Sequence, residues 1–575
     1  EQANCKKPFS RLWISSMEES AIREGFSNLK DGRSYDNLYQ SALCRAKADW
    51  LVGINATRLF SILYHKTLNV GRVQTPTLTM LVNRDYAISS FKKEKYHVVR
   101  LDAGGVSALS ERLNEEAAAQ QMKAACEKSQ AVCTSLKKEK KTVAPPKLFD
   151  LTALQREANR LYGFTAKQTL DYAQALYEKR LLTYPRTDSK YITSDMQRST
   201  KELITGLCSL LPFMRDVKLQ ADLTRVCDNS KVTDHHAILP TAEFLKTGFS
   251  SLTDSETKLM TLVCAKLLCA AAAPYEYEAV TAVISCGGYT FTAKGKTTLC
   301  EGWREIEKLS RAASEEQDED AEPETVLPPL AEGQTFDNPA AEISERYTQP
   351  PKAFTEDTLL SAMENAGKEE TPEDAERKGL GTTATRAGII EKLISAGFAE
   401  RKGKKLIPTK DGYNLVAILP DSLTSPQLTA EWETRLTGIA KGSDSPADFM
   451  RGIEEMTAGL VKTYSAISED KAKLFTPQRE AIGTCPRCGA AVYEGKKNFY
   501  CSDRACSFVM WKNDRFFEQR KKAFTKAIAA ALLKDGKVKI KGMYSTKTGK
   551  TFDGVVLLAD TGGKYVNFRV EQNRK

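Results

Sequence analysis

A chain of 575 residues with 41% hydrophobic and 27% charged positions is too long for one core and has the balance of a folded, multidomain protein. No apolar run approaches the ~20 residues of a membrane span, and no signal-peptide pattern opens the sequence. The net charge of +10 is unevenly placed: residues 471–575 hold 23 Lys+Arg against 9 Asp+Glu, which directs that region toward a polyanion.

The chain opens at Glu1 rather than at a methionine, as a fragment or a processed end would. Residues 1–16 end in Arg11-Leu12-Trp13-Ile14-Ser15-Ser16, which reads as a strand. Residues 36–90 predict helix, with Ala42, Ala46, Trp50, Gly53 and Ile54 near helical spacing. Arg45 and Asp49 lie four apart, so they share a helix face and can pair or jointly contact a ligand. From Lys95 the pattern turns to alternation (Tyr96, Val98, Arg100), and Lys137–Pro146 reads as a basic, proline-bounded connection. Residues 275–300 return to strands around a Gly287-Gly288 hairpin turn.

Between these β segments lies a helical insertion. Asp150 or Thr152 can cap a helix carrying Leu154, Ala158 and Leu161, and Thr165 can cap a second with Leu170, Ala173, Leu176 and Tyr177. The second helix ends near Arg180, and Leu181-Leu182-Thr183 lead into Tyr184. Two helices delivering a strand or turn make a winged-helix-like arrangement. The acidic run Ser314–Glu324 reads as a solvated linker. Helical character resumes at 355–465, so the order is helical, β, insertion, β, helical, and the chain must go out and come back. At the end, Ala523–Leu533 predicts a helix, and Val538–Lys541, Val555–Leu558 and Tyr565–Val570 predict strands.

Of the 14 cysteines, Cys5, Cys44, Cys126, Cys133, Cys208, Cys227, Cys264, Cys269, Cys286 and Cys300 follow no framework spacing and read as buried thiols of a reducing compartment. The other four form Cys485-x2-Cys488 and Cys501-x4-Cys506, two close pairs that can place four thiolates around zinc. Such a closed site is structural. Tyr493, Phe499, Tyr500, Phe508 and Trp511 lie among Lys496, Lys497, Lys512 and Arg515, a mixture suited to stacking bases and holding phosphates. A ribbon this small also needs rings for its own core.

Leu181–Asp188 (Leu-Leu-Thr-Tyr-Pro-Arg-Thr-Asp) carries the sharpest chemistry. A phenol with a pKa of about 10 attacks readily only where cations stabilise the phenolate or the electrophile. Arg186, two residues on, offers the forked donors that hold a phosphate. Downstream, Asp234-His235-His236-Ala237-Ile238 supplies two of the chain's 4 histidines, able to donate to phosphate or move a proton. The adjacent histidines do not match the His-hydrophobe-His metal motif of relaxases. A tyrosine recombinase is disfavoured by the long sequence after Tyr184, and no P-loop lysine implies ATP.

In order along the chain, these motifs resemble the type IA DNA topoisomerases, in their bacterial topoisomerase III branch. The same resemblance is carried by Arg45–Asn55, Val70–Pro76, Gln349-Pro350-Pro351, Gly379–Arg386 and Leu428–Glu433. It implies a multidomain α+β fold shaped as an arch or ring. Its expected parts are a Toprim remnant (1–32), a helical DNA-binding domain (33–94 and 351–470), a β gate domain (95–146 and 274–350) and a winged-helix-like catalytic-tyrosine domain (147–273). A zinc ribbon (480–515) and a basic module (516–575) would follow. Tyr184 would form a 5′-phosphotyrosine, with Arg186 and His235 assisting. Arg45, Asp49, Arg72 and Gln74 would place the strand, and Thr385, with Thr382, Thr383 and Arg386, would meet phosphate at a helix N-terminus. The family's Mg²⁺ is held by Toprim acidic residues, expected upstream of Glu1, so a non-catalytic single-strand-binding fragment is the alternative. The implied protein is cytoplasmic and associated with the nucleoid or a mobile element. It acts on single-stranded regions of DNA as a monomer, away from any membrane, with a helicase partner left open.

Overall fold

The computed structural model describes residues 7–14, 18–232, 234–313, 325–367, 379–467, 471, 473–475, 480–503, 505–563 and 565–571. They fall into two compact units, Glu1–Lys471 and Ala472–Lys575. The acidic run Ser314–Glu324 lies outside the described residues. So do Ser15 and Ser16; of the strand expected at Arg11–Ser16, only Ser10–Arg11 pairs, against Lys30–Asp31.

After a helix at Glu19–Ser27, the main elements of the first unit include α1 (Asp36–Leu63) and α2 (Gln74–Ser89), followed by β1 (Lys95–Ala103), β2 (Val106–Leu109) and β3 (Ala131–Val143). Next come α3 (Leu151–Tyr162), α4 (Ala166–Glu178) and α5 (Asp254–Ala270), then β4 (Tyr275–Cys286), β5 (Tyr289–Cys300), β6 (Thr335–Phe336) and β7 (Ala340–Tyr347). The later helices are α6 (Glu356–Asn365), α7 (Thr383–Ser395), α8 (Gln427–Lys441) and α9 (Pro446–Thr463).

The strands form one antiparallel sheet in the order β6-β3-β4-β5-β2-β1-β7. Its central neighbours β3 and β4 run in register from Ala131↔Cys286 to Val143↔Tyr275, with one bulge near Cys133. The chain therefore leaves the sheet at Val143 and re-enters beside that point at Tyr275, with the whole insertion between. Lys137–Pro146, expected as a connection, is strand as far as Val143. Its lysines gave no hydrophobic alternation, yet each backbone has a partner on β4. Side-chain pattern alone understates such a ladder.

The insertion has its own core, in which Leu154, Ala158, Leu181, Leu182, Ile238, Leu239 and much of α5 are buried together. Asp150 caps α3 by accepting from the Ala153 amide (2.6 Å), and Thr165 with Gln168 forms a reciprocal capping box on α4. Helix α1 packs on α8 and α9, so helices from the two ends of the first unit meet.

The face of α1 that is covered differs from the expected one. Cys44, Ala48, Val52, Ala56 and Phe60 are buried at four-residue spacing. Ala42, Ala46, Trp50 and Ile54 lie exposed on another face.

In the second unit, strands β8 (Ala481–Thr484), β9 (Ala491–Glu494), β10 (Asn498–Cys501) and β11 (Val509–Trp511) form a meander. Helix α10 (Lys526–Asp535) precedes a second sheet of β12 (Lys537–Tyr544), β13 (Thr551–Leu558) and β14 (Phe568–Glu571). The two stretches share one core, built from Val492, Phe499, Phe508 and Met510 together with Phe517, Phe524, Leu532, Val556 and Phe568. Among the described residues no helix is long and apolar enough to cross a membrane.

Candidate active site and nucleic-acid groove

Tyr184 is positioned by a helix stop and two paired segments. After α4, Arg180 adopts a left-handed backbone (φ 63°), and the Leu181 amide donates back to the Leu176 carbonyl (2.9 Å). The chain then runs antiparallel to Leu239–Thr241. Thr183 donates its amide to the Leu239 carbonyl (2.9 Å), and the Thr241 amide donates to Leu181 (3.0 Å). Burial of Leu181, Leu182, Ile238 and Leu239 locks both segments into the insertion core.

This pairing brings together two motifs far apart in sequence: the rings of Tyr184 and His235 lie 4.4 Å apart at 45°. Tyr177 meets Tyr184 edge-on at 5.5 Å. Pro185, Thr187 and Ser189 are buried while Arg186 and Asp188 are exposed. The alternation turns Arg186 to solvent, where no carboxylate pairs with it among the described residues. Thr187 Oγ1 donates to the His235 carbonyl (2.9 Å), fixing the histidine loop. His235 itself is exposed. His236 is half-buried, its Nδ1 donates to the Ala237 carbonyl (2.8 Å), and burial pushes its pKa below the usual histidine value.

The second group of expected residues surrounds α1. Arg45 and Asp49 do not pair with each other. Arg45 pairs with Glu433 on α8, and Asp49 takes two bonds from Arg72 (2.8 and 3.2 Å). Arg72 Nη1 also donates to Glu433 (3.2 Å), and its guanidinium lies 4.9 Å from the ring centroid of buried Trp432. Burial opposes the charge of Arg72, but Asp49 and Glu433 outweigh it and raise the pKa. The buried Arg72 is therefore committed to protein partners, while Asp49 and Gln74 stay at the surface.

Asp49, Trp50, Ile54, Asn69, Gln74 and Lys392 line an open groove of about 560 Å³. Trp50 is 66% exposed. Helical spacing reads Trp50 only as part of an apolar helix face, whereas its large ring stands beside Asp49, away from the buried row of α1.

Thr385 Oγ1 accepts from the Thr382 amide (2.9 Å) in a capping box at the start of α7. The next residue, Arg386, is buried and donates to Thr152 Oγ1 on α3 (2.8 Å). Thus α7 touches the insertion at one end and the groove at the other.

In the second unit, Sγ atoms of Cys485 and Cys506 are 3.7 Å apart, and those of Cys488 and Cys501 are 3.4 Å apart. All four lie within 4.8 Å of one another, close to the ~3.8 Å edge of a tetrahedron with Zn–S bonds of about 2.3 Å. Cys506, despite its wider spacing, belongs to the cluster. The geometry can hold a metal ion and is compatible with zinc. It is the one metal-ligating cluster among the described residues. Of the ribbon aromatics, Phe499 and Phe508 are core, whereas Tyr493, Tyr500 and Trp511 lie on the other side of the meander. Of the scattered cysteines, Cys300 is exposed and Cys208 and Cys227 are half-buried, contrary to expectation, and Cys5 lies outside the described residues.

The fold is similar to full-length topoisomerase I from Thermotoga maritima, with a TM-score of 0.63 at 22% identity over 87% of this chain and 80% of that one. In sequence, the family described as DNA topoisomerase matches residues 33–451. The chain is 39% identical over 532 residues to DNA topoisomerase 3 of Bacillus licheniformis and to that of Bacillus subtilis, covering 88% of this chain and 71% and 72% of theirs. The chain belongs to the bacterial DNA topoisomerases of type IA, a family of isomerases acting on DNA, as the ordered motifs predicted.

Proposed function

We propose that the chain cuts and reseals one DNA strand through Tyr184. A single strand lies in the groove of α1, α2 and α7, with Asp49, Gln74 and the partly exposed Arg45 placing its backbone and Trp50 stacking a base. Arg72 acts from beneath, holding Asp49 and Glu433 in place. The Tyr184 oxygen attacks a backbone phosphorus, forming a 5′-phosphotyrosine bond and breaking the bond to the 3′ oxygen, which leaves as a hydroxyl. Arg186 pairs with the non-bridging oxygens as their charge grows. His235 donates to the phosphate or carries the proton. The reverse attack by the 3′-hydroxyl reseals the strand, so the phosphodiester's energy is kept and ATP is not consumed.

Thr385 supports the start of α7 through its cap and stands close to any phosphate at that helix end. Zinc in the four-cysteine site folds the ribbon, whose Tyr493, Tyr500 and Trp511 offer stacking surface for unpaired bases. The described residues hold no carboxylate cluster of the kind the family uses for Mg²⁺.

The observation that carries this reading is the packing of Tyr184 on His235, with Arg186, two residues on, exposed and paired with no carboxylate among the described residues. The test is to incubate a labelled single-stranded oligonucleotide with the protein, denature, and follow label on the chain. Label is expected through the 5′ phosphate and is expected to vanish in Tyr184→Phe. Label that persists in that variant, or that attaches through the 3′ side, overturns the assignment.

A further inference from the structure

We propose that one face of β3-β4-β5 is a second DNA-binding surface, fitted to the backbone of a duplex. This rests on DNA being the substrate and is independent of the role given to Tyr184. Strand register places Lys137 across from Thr281 and Lys294 beyond it; Glu139 likewise aligns with Ala279 and Lys296, and Lys141 with Tyr277. Directly paired residues share a face. Lys137, Lys141, Lys294 and Lys296 therefore project from one side of the sheet, with Glu139 as the single acid among them; Glu139 pairs with Lys137 and, at 3.7 Å, with Lys141, so the face keeps an excess of cation.

The opposite side is balanced. There Lys138 lies across from Val280 and Lys140 across from Glu278, with Glu276 next on the same face, and Lys140 pairs with Glu276 at 2.7 Å. A solvated strand pair has no need to segregate charge in this way, whereas a polyanion does.

Lys137 and Lys141 are separated by about 13 Å along β3, and Lys137 and Lys294 by about 10 Å across two strand spacings. Lys294 is exposed and makes no ion pair among the described residues. The spacing suits a rigid lattice of phosphates at about one charge per 1.7 Å of duplex axis. Single-strand surfaces depend on exposed rings, and the two tyrosines on this face, Tyr275 and Tyr277, are buried and half-buried. Tyr275 is buried, and the Lys296 ammonium lies over Tyr275 and Tyr277 at 4.8 and 4.9 Å. Because β3 and β4 lead into the insertion at Val143 and Tyr275, a duplex held here lies at the root of the module carrying Tyr184.

The test compares Lys137→Gln/Lys141→Gln/Lys294→Gln with a control, Lys138→Gln/Lys140→Gln, on the opposite face. Binding of a blunt duplex and of a single-stranded oligonucleotide is measured by anisotropy across a salt series. The triple variant is expected to lose about tenfold in duplex affinity at low salt and to flatten the log K against log salt slope by about 2 to 3. Single-strand binding should stay within about twofold, and the control should match wild type. An unchanged duplex slope, an equal loss in the control, or an equal loss for single strands overturns the proposal. So does stronger competition by polyglutamate than by duplex, which would mark the face as a protein-docking surface. Adduct formation, read separately on the same variants, bears only on Tyr184.

Discussion

His235 and His236 are adjacent in sequence and opposite in environment. His235 is exposed against Tyr184, while His236 turns inward onto its own backbone. Burial lowers the His236 pKa, so as pH falls below about 6.5 the unfolded chain takes up a proton that the folded chain resists. Its stabilising contribution is complete above that pH and is lost as pH falls toward the depressed folded value. Calorimetry at about pH 7 and about pH 5.5 should show a falling thermal midpoint, and His236→Gln should reduce the fall; an equal fall in both proteins refutes this. At this scale Tyr184 and Arg186 were legible because their chemistry is local. The exposure of Trp50 was not, because periodicity marks a helix face without saying what covers it.

Among elements, the Arg72–Glu433 pair ties the segment before α2 to α8, with Asp49 of α1 as a third member. Arg72 and Glu433 side chains are only 5% and 10% exposed, so removing the Glu433 charge leaves buried Arg72 with Asp49 alone and takes the carboxylate partner from Arg45. Glu433→Gln is expected to cost about 3 kcal/mol, measured as a lowered urea midpoint for the first unit; a loss below about 0.5 kcal/mol would show the network to be solvent-screened. The caps at Asp150 and Thr165 were readable because an acceptor three residues ahead of an amide is a local signature. The length of β3 was not, since its exposed lysines are held by pairing with β4 rather than by burial.

At the scale of the molecule, the two units answer to different perturbations. Because thiolates that hold a structural metal couple its binding to folding, Cys485→Ser/Cys488→Ser should take the zinc content to zero and abolish the melting transition of the second unit. Metal retained at one equivalent would refute the four-cysteine site. Deleting residues 471–575 removes 23 Lys+Arg against 9 Asp+Glu. The truncated chain should bind DNA more weakly with a shallower salt dependence, and adduct formation through Tyr184 should persist. A salt slope unchanged by the deletion contradicts the electrostatic role of that unit.

What could be read from the sequence by itself rests on interactions spanning a few residues. These are the helices of the insertion and their caps, the paired cysteines, the Tyr184-Pro185-Arg186 step and the family to which the ordered motifs point. What tertiary structure alone decided involves partners far along the chain. Leu239 pairing with Thr183 sets His235 against Tyr184, Glu433 draws Arg72 out of solvent, and one core sorts the ribbon's Phe499 and Phe508 from Tyr493, Tyr500 and Trp511. A side chain's type limits what it can bond to. Whether it meets solvent, a ring or a counter-charge depends on which distant segment folds against it, and no local periodicity carries that information.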